Sequence, residues 1–192
     1  VRSGCEVVGA DRVGDDAAAL AALLDDVAGA GPDLVLTVGG VSRGEREPVR
    51  GLLESSGRVV FRRVTVRPGG PLTFFRYGGL PVLALPGNPV SSLVCFHLFA
   101  RAFIDAALGR TAPPPYRARL RARVTRDLRP DAKTVFHRAS LKVDERGASV
   151  TPWADQSSAV SRSLHEADCL AVAPPGGARA GDVVEAVPLE GL

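Results

Sequence analysis

Apolar residues along this chain fall into short runs punctuated by glycine and proline. The densest junction lies between Val82 and Ser92. Four apolar residues, Val82 to Leu85, run straight into Pro86-Gly87-Asn88-Pro89, and a long apolar segment begins at Val90. The pattern predicts a buried strand, a sharp loop and a helix N-terminus in immediate succession. Such a junction aims backbone N–H groups beyond the carboxyl end of the strand, where anions are favoured and where open α/β sheets hold ligands. A tight turn that binds nothing accounts for the same residues equally well.

Upstream, Glu6 to Ala10 reads as a short strand. Asp15 and Asp16 are candidate N-caps for an Ala- and Leu-rich helix reaching about Val27. Asp33 to Thr37 is a compact apolar strand that enters a glycine-rich loop over 38–45. A helix is expected from about Glu47 to Ser55, stopped by Gly57. The β-α-β-α order predicts parallel strands with right-handed crossovers. Arg58 to Val66 is a β-rich run, Arg67 to Pro71 a third loop, and Leu72 to Tyr77 a strand joined by a Gly78-Gly79 hairpin turn to the strand Pro81 to Leu85. A helix over Val90 to Leu108 would be apolar on most faces, so it is expected to be buried or to lie at an interface.

Thr111 to Pro115 (TAPPP) reads as a linker. After it, short segments alternate with turn signals: Tyr116 to Thr125, Thr134 to Val143, Ala148 to Thr151, Cys169 to Ala173 and Asp182 to Val187; several alternate polar with apolar, as in Arg117 to Val124. This texture predicts a small β-barrel or sandwich. The expected organisation is an α/β unit over 1–110, a linker over 111–115 and a β unit over 116–192.

Composition narrows the function. The 192 residues are 45% hydrophobic, enough for a packed core, and the net charge of +3 is spread as single and paired arginines. No dense basic run with interleaved aromatics points to nucleic acid. Cys5, Cys95 and Cys169 are odd in number and far apart, which argues against a metal cluster or a disulfide framework and favours a reducing, cytoplasmic setting. The longest apolar segment is interrupted by His97, Arg101 and Asp105, so no membrane span is expected. The chain begins at Val1 and contains no methionine; it is expected to be a piece of a longer protein.

The three loops carry the candidate chemistry. Glycines at Gly39, Gly40 and Gly87 would let the backbone approach phosphate oxygens closely, with Ser42 and Ser91 as hydroxyl donors. Glu45 and Glu47 suit a hard cation such as Mg²⁺, or are simply acids at a helix N-terminus. Arg67 suits bidentate pairing with an oxyanion, or is a surface cation. His97, in the middle of the apolar helix, reads as a packed histidine. The loops match neither GxGxxG nor the GxxxxGK[ST] phosphate loop, and no Ser-His-Asp set can be paired.

Taken in order, GCEVVGADRVGDD (4–16), DLVLTVGGVSRGE (33–45), VRPGGPLTF (66–74) and LPGNPVSS (85–92) resemble the molybdopterin molybdenumtransferases, the family of bacterial MoeA and the gephyrin E domain. FHR (136–138), DQSS (155–158), SLHEADCLAVAP (163–174) and AGDVVEAVPL (180–189) continue the resemblance to the end. It implies a MogA/MoaB-like three-layer α/β fold with a parallel or mixed sheet, N-terminally incomplete, followed by a small all-β barrel. The implied activity is insertion of molybdate into adenylated molybdopterin with release of AMP, assisted by Mg²⁺ or a similar divalent ion. It also implies a homodimer in the full-length protein and no nucleic-acid or membrane partner.

Residue by residue, the resemblance carries Gly39, Gly40, Ser42 and Glu45 to a ligand loop, and Glu47 to the acidic, metal-holding catalytic position. Arg67 takes the first basic position of a Lys-Pro-Gly-Lys-Pro loop. Pro86, Gly87, Asn88, Pro89 and Ser91 form the pterin-side loop, and Arg138 and Ser158 are polar positions near the cleft. The chain departs from the family pattern in four ways. The second loop lysine is Gly70, the acidic position carries Glu47 where Asp is usual, Val38 replaces a common serine, and a first strand with a Thr-Gly-Asp/Glu loop is absent. Two other readings follow: a catalytically impaired paralogue that binds or scaffolds molybdopterin, and a MogA-like adenylyltransferase.

Overall fold

The computed structural model describes residues 3–41, 48–55, 57–110, 119–157 and 166–189. Ser42, Glu45, Glu47 and Ser158, and the linker expected over 111–115, lie outside these residues. The first helix, α1 (Ala17–Gly29), starts where the Asp16 side chain accepts the Ala19 N–H at 2.7 Å. It is followed by β1 (Val35–Val38), α2 (Pro48–Ser55), β2 (Gly57–Arg62), β3 (Val66–Arg67), β4 (Thr73–Tyr77) and β5 (Leu80–Leu85). A long helical span then runs as α3 (Pro89–Cys95), a π-helical turn (Phe96–Ala100) and α4 (Arg101–Ala107).

One sheet has the order β1-β5-β4-β2. α1 and α2 cover one face, where Leu20, Leu24, Leu52 and Leu53 pack on Phe75, Val82 and Ala84. The helical span covers the other, with Cys95 and Ala100 against Leu72, Leu83 and Leu85. This is a three-layer arrangement. It explains the unbroken apolar run in β5, which is buried on both faces.

Three expectations are corrected. Within this sheet only β1 and β5 run parallel: the expected hairpin at Gly78-Gly79 makes β5–β4 antiparallel, and β4–β2 is antiparallel as well, so the sheet is mixed and not all-parallel. Residues 6–10 form no strand: Val7 and Val8 are 63% and 68% exposed, and a strand needs a neighbour to satisfy its backbone. α2 ends at Ser55 as expected, and Gly57 opens β2. The run Arg58 to Val66 is also not one strand. Arg63 takes a φ of 68°, and the chain bends there so that its N–H reaches Leu72 O at 2.8 Å.

That bend sends β3 into a second sheet, β3-β7-β8-β6-β10-β9. Its other members are β6 (Leu120–Val124), β7 (Thr134–Asp144), β8 (Gly147–Pro152), β9 (Cys169–Ala173) and β10 (Val183–Pro188). Pairing of β7 with β9 closes these five strands into a barrel. Its narrow interior is filled by small side chains, among them Ala122, Ala139, Val150, Ala171 and Ala186. Between barrel and sheet lies the helical span. Val94 and Leu98 pack on Phe136, Leu170, Val187 and Leu189 of the barrel side. A helix apolar on most faces is what two flanking layers require.

His137 lies on β7 with its Nε2 buried and without a hydrogen-bond partner. Burial, and then the neighbouring Arg138 charge, hold its pKa below the ordinary value. The fold therefore favours neutral imidazole, and the unfolded chain binds the extra proton. Stability is whole above the unfolded pKa of about 6.5 and is lost as pH falls below it toward the folded pKa. Denaturant melts from pH 7.5 to 5 are expected to show this slope in the wild type and a shallower one in His137→Gln; equal slopes would contradict the assignment.

Candidate functional site

β1 and β5 are adjacent and parallel, so the loops that follow them leave the sheet at the same edge. Their backbones touch. Gly39 N donates to Leu85 O at 3.0 Å, and a Cβ placed on Gly87 would lie 3.3 Å from Gly39 Cα. Gly39 and Gly40 hold φ of 100° and 69°, which an L side chain rarely adopts. Glycine at 39 and 40 is thus favoured by backbone conformation, and glycine at 87 by the close approach of the two loops.

Asn88 caps α3. Its Oδ1 accepts the N–H groups of Val90 at 3.1 Å and Ser91 at 3.3 Å, and Pro89 occupies the first turn, where no N–H is needed. The Ser92 N–H goes to Asn88 O. The expected anion-binding role of this turn changes accordingly, because three of its amides are already occupied. None of these bonds uses the amides of Gly40 and Gly87. Pro86, Val90 and Ser91 are buried.

The third loop packs on α3 itself. A Cβ on Gly69 would lie 3.8 Å from Ser91 O and would overlap Cys95 Sγ, so the 67–71 loop lies along the first two turns of α3. Its register comes from the barrel: Val66 pairs with Thr134 and Arg67 with Val135. The Arg67–Pro68 peptide is cis. Arg67 is mostly exposed and pairs with Asp131 at 3.2 Å. Asp131 uses its other oxygen to accept the Lys133 backbone N–H at 2.9 Å. The Lys133 ammonium lies 3.8 Å from where a Gly70 Cβ would stand. Asp131 and Lys133 were not candidates from sequence. The only signal was a Pro-Asp turn before a strand, and nothing in that pattern says which loop it meets.

Arg138, expected near the cleft, is 1% exposed. One terminal nitrogen donates to the carbonyls of Asp155 and Ser157, both at 3.1 Å, and Nε has no partner. Burial lowers its pKa, with the Asp155 carboxylate opposing. The side chain fastens the 155–157 segment onto the outside of β7. Gln156 completes the fastening by accepting Arg138 N–H and donating to Arg138 O.

His97 is buried, with its ring edge-on to Phe96 at 5.9 Å. Burial pushes the Cys95 and Cys169 thiols up to about 12, far from a reactive thiolate. Among the described residues, no three His, Cys, Asp or Glu side chains gather as a metal site.

The described geometry is therefore three loops around the start of α3, rich in backbone approach, with a basic pair at one side. Residues 2–106 match the family described as the probable molybdopterin binding domain, and residues 121–189 match the MoeA C-terminal region, domain IV. The chain is 37% identical over 190 residues to molybdopterin molybdenumtransferase 2 of Mycobacterium tuberculosis, covering 95% of this chain and 44% of that protein. Against the molybdopterin molybdenumtransferase of Synechococcus elongatus it is 34% identical over 184 residues, covering 91% and 42%. A crystal structure of the molybdopterin biosynthesis moeA protein from Pyrococcus horikosii superposes with a TM-score of 0.71 at 26% identity, covering 93% and 42%. The chain spans less than half the length of these relatives.

Proposed function

The chain belongs to the MoeA family of molybdopterin molybdenumtransferases, and we propose that the protein carrying it inserts molybdate into adenylated molybdopterin and releases AMP. The observation that carries this reading is the convergence of the Gly39-Gly40, Pro86–Pro89 and 67–71 loops on the start of α3. Here the backbone would receive the pterin nucleotide while Arg67 offers charge. Gly39, Gly40, Ser42 and Glu45 would form one wall; Pro86, Gly87, Asn88, Pro89 and Ser91 would form the pterin side. Arg138 would act through the 155–157 segment it fastens, next to Ser158. The organisation proposed is an α/β unit over 1–110 and a β unit over 116–192.

A divalent ion such as Mg²⁺ belongs to the same reading. Glu45 and Glu47 are oxygen donors of the kind a hard cation takes, and the ion would offset phosphate charge as AMP departs. The enzyme's work would be positioning and electrostatics. The full-length protein would act as a homodimer in the cytoplasm, without nucleic acid or membrane.

A second reading, a molybdopterin-binding paralogue without transfer, is favoured by one observation: Arg67 already has Asp131 as a partner and Gly70 brings no charge. One experiment separates the two. The full-length protein is incubated with adenylated molybdopterin, molybdate and Mg²⁺, and AMP and cofactor are quantified. Release of both is expected. Tight molybdopterin binding with no AMP would overturn transfer in favour of the binding reading.

A further inference from the structure

Gly70 leaves the 67–71 loop without a second cation along its own length, but the structure brings one from elsewhere. β3 adds to the barrel beside the start of β7, and this pairing sets the 131–133 turn against the loop. Lys133 is half-buried there, its ammonium beside the space a Gly70 side chain would occupy. Among the described residues no carboxylate lies within ion-pair distance of that ammonium. The nearby Asp131 is occupied twice, by Arg67 and by the Lys133 backbone N–H. Asp131 therefore braces the turn and cancels only one of the two positive charges.

The turn is also fixed from behind. Gly176 N–H donates to Asp131 O at 3.0 Å, and Leu128 and Ala178 exchange backbone hydrogen bonds. The ammonium is thus presented by a braced turn, next to a glycine loop and an arginine. An ammonium without a carboxylate partner among the described residues suits an exogenous anion.

We propose that Lys133 and Arg67 form a tetrahedral-oxyanion subsite at the 67–71 loop, with Lys133 taking over the charge that Gly70 lacks. The ligand is molybdate or a phosphate group of the pterin nucleotide; its identity, though not the subsite, rests on the function proposed above. Lysine suits this place because a compact ammonium on a flexible stem can sit over a loop backbone where a guanidinium fork would need more room.

Anion titrations by calorimetry test the subsite without requiring turnover. Full-length wild type, Lys133→Ala, Lys133→Gln and Lys133→Ala/Gly70→Lys are each titrated with sodium molybdate and, separately, inorganic phosphate. Gly70 is chosen because a Cβ there meets only ordinary contacts, at 3.5 Å or more, and its φ is not in the left-handed region. Both single variants are expected to weaken binding about tenfold, and the relocated lysine to restore most of it. Loss confined to molybdate assigns the subsite to molybdate; loss confined to phosphate assigns it to the nucleotide. Wild type that binds neither anion overturns the proposal, as do folded single variants with unchanged affinity or a loss that Gly70→Lys does not restore. Restoration in a protein that releases no AMP would sink the transfer reading and keep the subsite. Transfer with unchanged anion affinity in the variants would do the reverse.

Discussion

Gly69→Ala is expected to destabilise the protein by about 2–4 kcal/mol, the sum of two separable penalties. Gly69 holds a φ of 109°, which an alanine backbone tolerates only under strain. The added methyl would also overlap Cys95 Sγ, and Cys95 is fully buried between the helical span and the first sheet. The loop has no easy retreat. The Cys95 thiol donates to Gly69 O at 3.5 Å, and Leu72 N–H bonds the same oxygen at 3.0 Å.

A double-mutant cycle with Cys95→Ala separates the penalties. Removing the sulfur makes room for the methyl but leaves the backbone strained. The double variant should therefore be more stable than the sum of the singles by about 1–2 kcal/mol, and still below Cys95→Ala alone. Chemical denaturation measures all four proteins. Strict additivity would mean that the contact does not set the cost. Arg67 and the Gly70–Lys133 approach flank this residue, so anion affinity should fall with stability in Gly69→Ala and recover in part in the double variant.

Arg138→Ala is expected to cost about 3–5 kcal/mol. A buried guanidinium is expensive to desolvate, and its unpartnered Nε shows that the desolvation is not fully compensated. The charge itself therefore contributes little net stability. The loss in the alanine variant comes from the cavity left by a long stem and from the orphaned carbonyls of Asp155 and Ser157. Arg138→Met fills the space without the charge and should cost about half as much. Both variants should raise amide exchange over 155–157, since both lose the fastening. If Met proved as costly as Ala, the charge rather than the volume would be holding the segment.

The loop glycines show how far local pattern reaches into the site. Gly39, Gly40 and Gly87 were legible as close-approach positions because positive φ and tight βα junctions are properties of a few adjacent residues. Asn88 was legible as part of a helix start, but its effect was not. The side chain that makes the junction recognisable also occupies two of the amides an anion would have used. Arg138 was legible as a polar residue on a strand, yet its burial follows from the 155–157 segment lying over it, which no spacing in β7 encodes.

What the sequence by itself determined is most of the elements and the family. The Asp16 cap, the apolar run of β5, the Gly78-Gly79 hairpin and the alternation of β6 are short-range patterns, each satisfied by residues a few positions apart. The motif series from 33–45 through 85–92 carries the MoeA resemblance for the same reason. Tertiary structure alone decided the pairing of β2 with β4, the fate of residues 6–10 and the departure of β3 to the barrel, because each depends on which neighbour accepts a backbone hydrogen bond. It also decided that Asp131 and Lys133, remote in the chain, stand beside Arg67 and Gly70. Two strand residues, Val66 and Arg67, pairing with Thr134 and Val135 create that meeting, and only the folded register can show it.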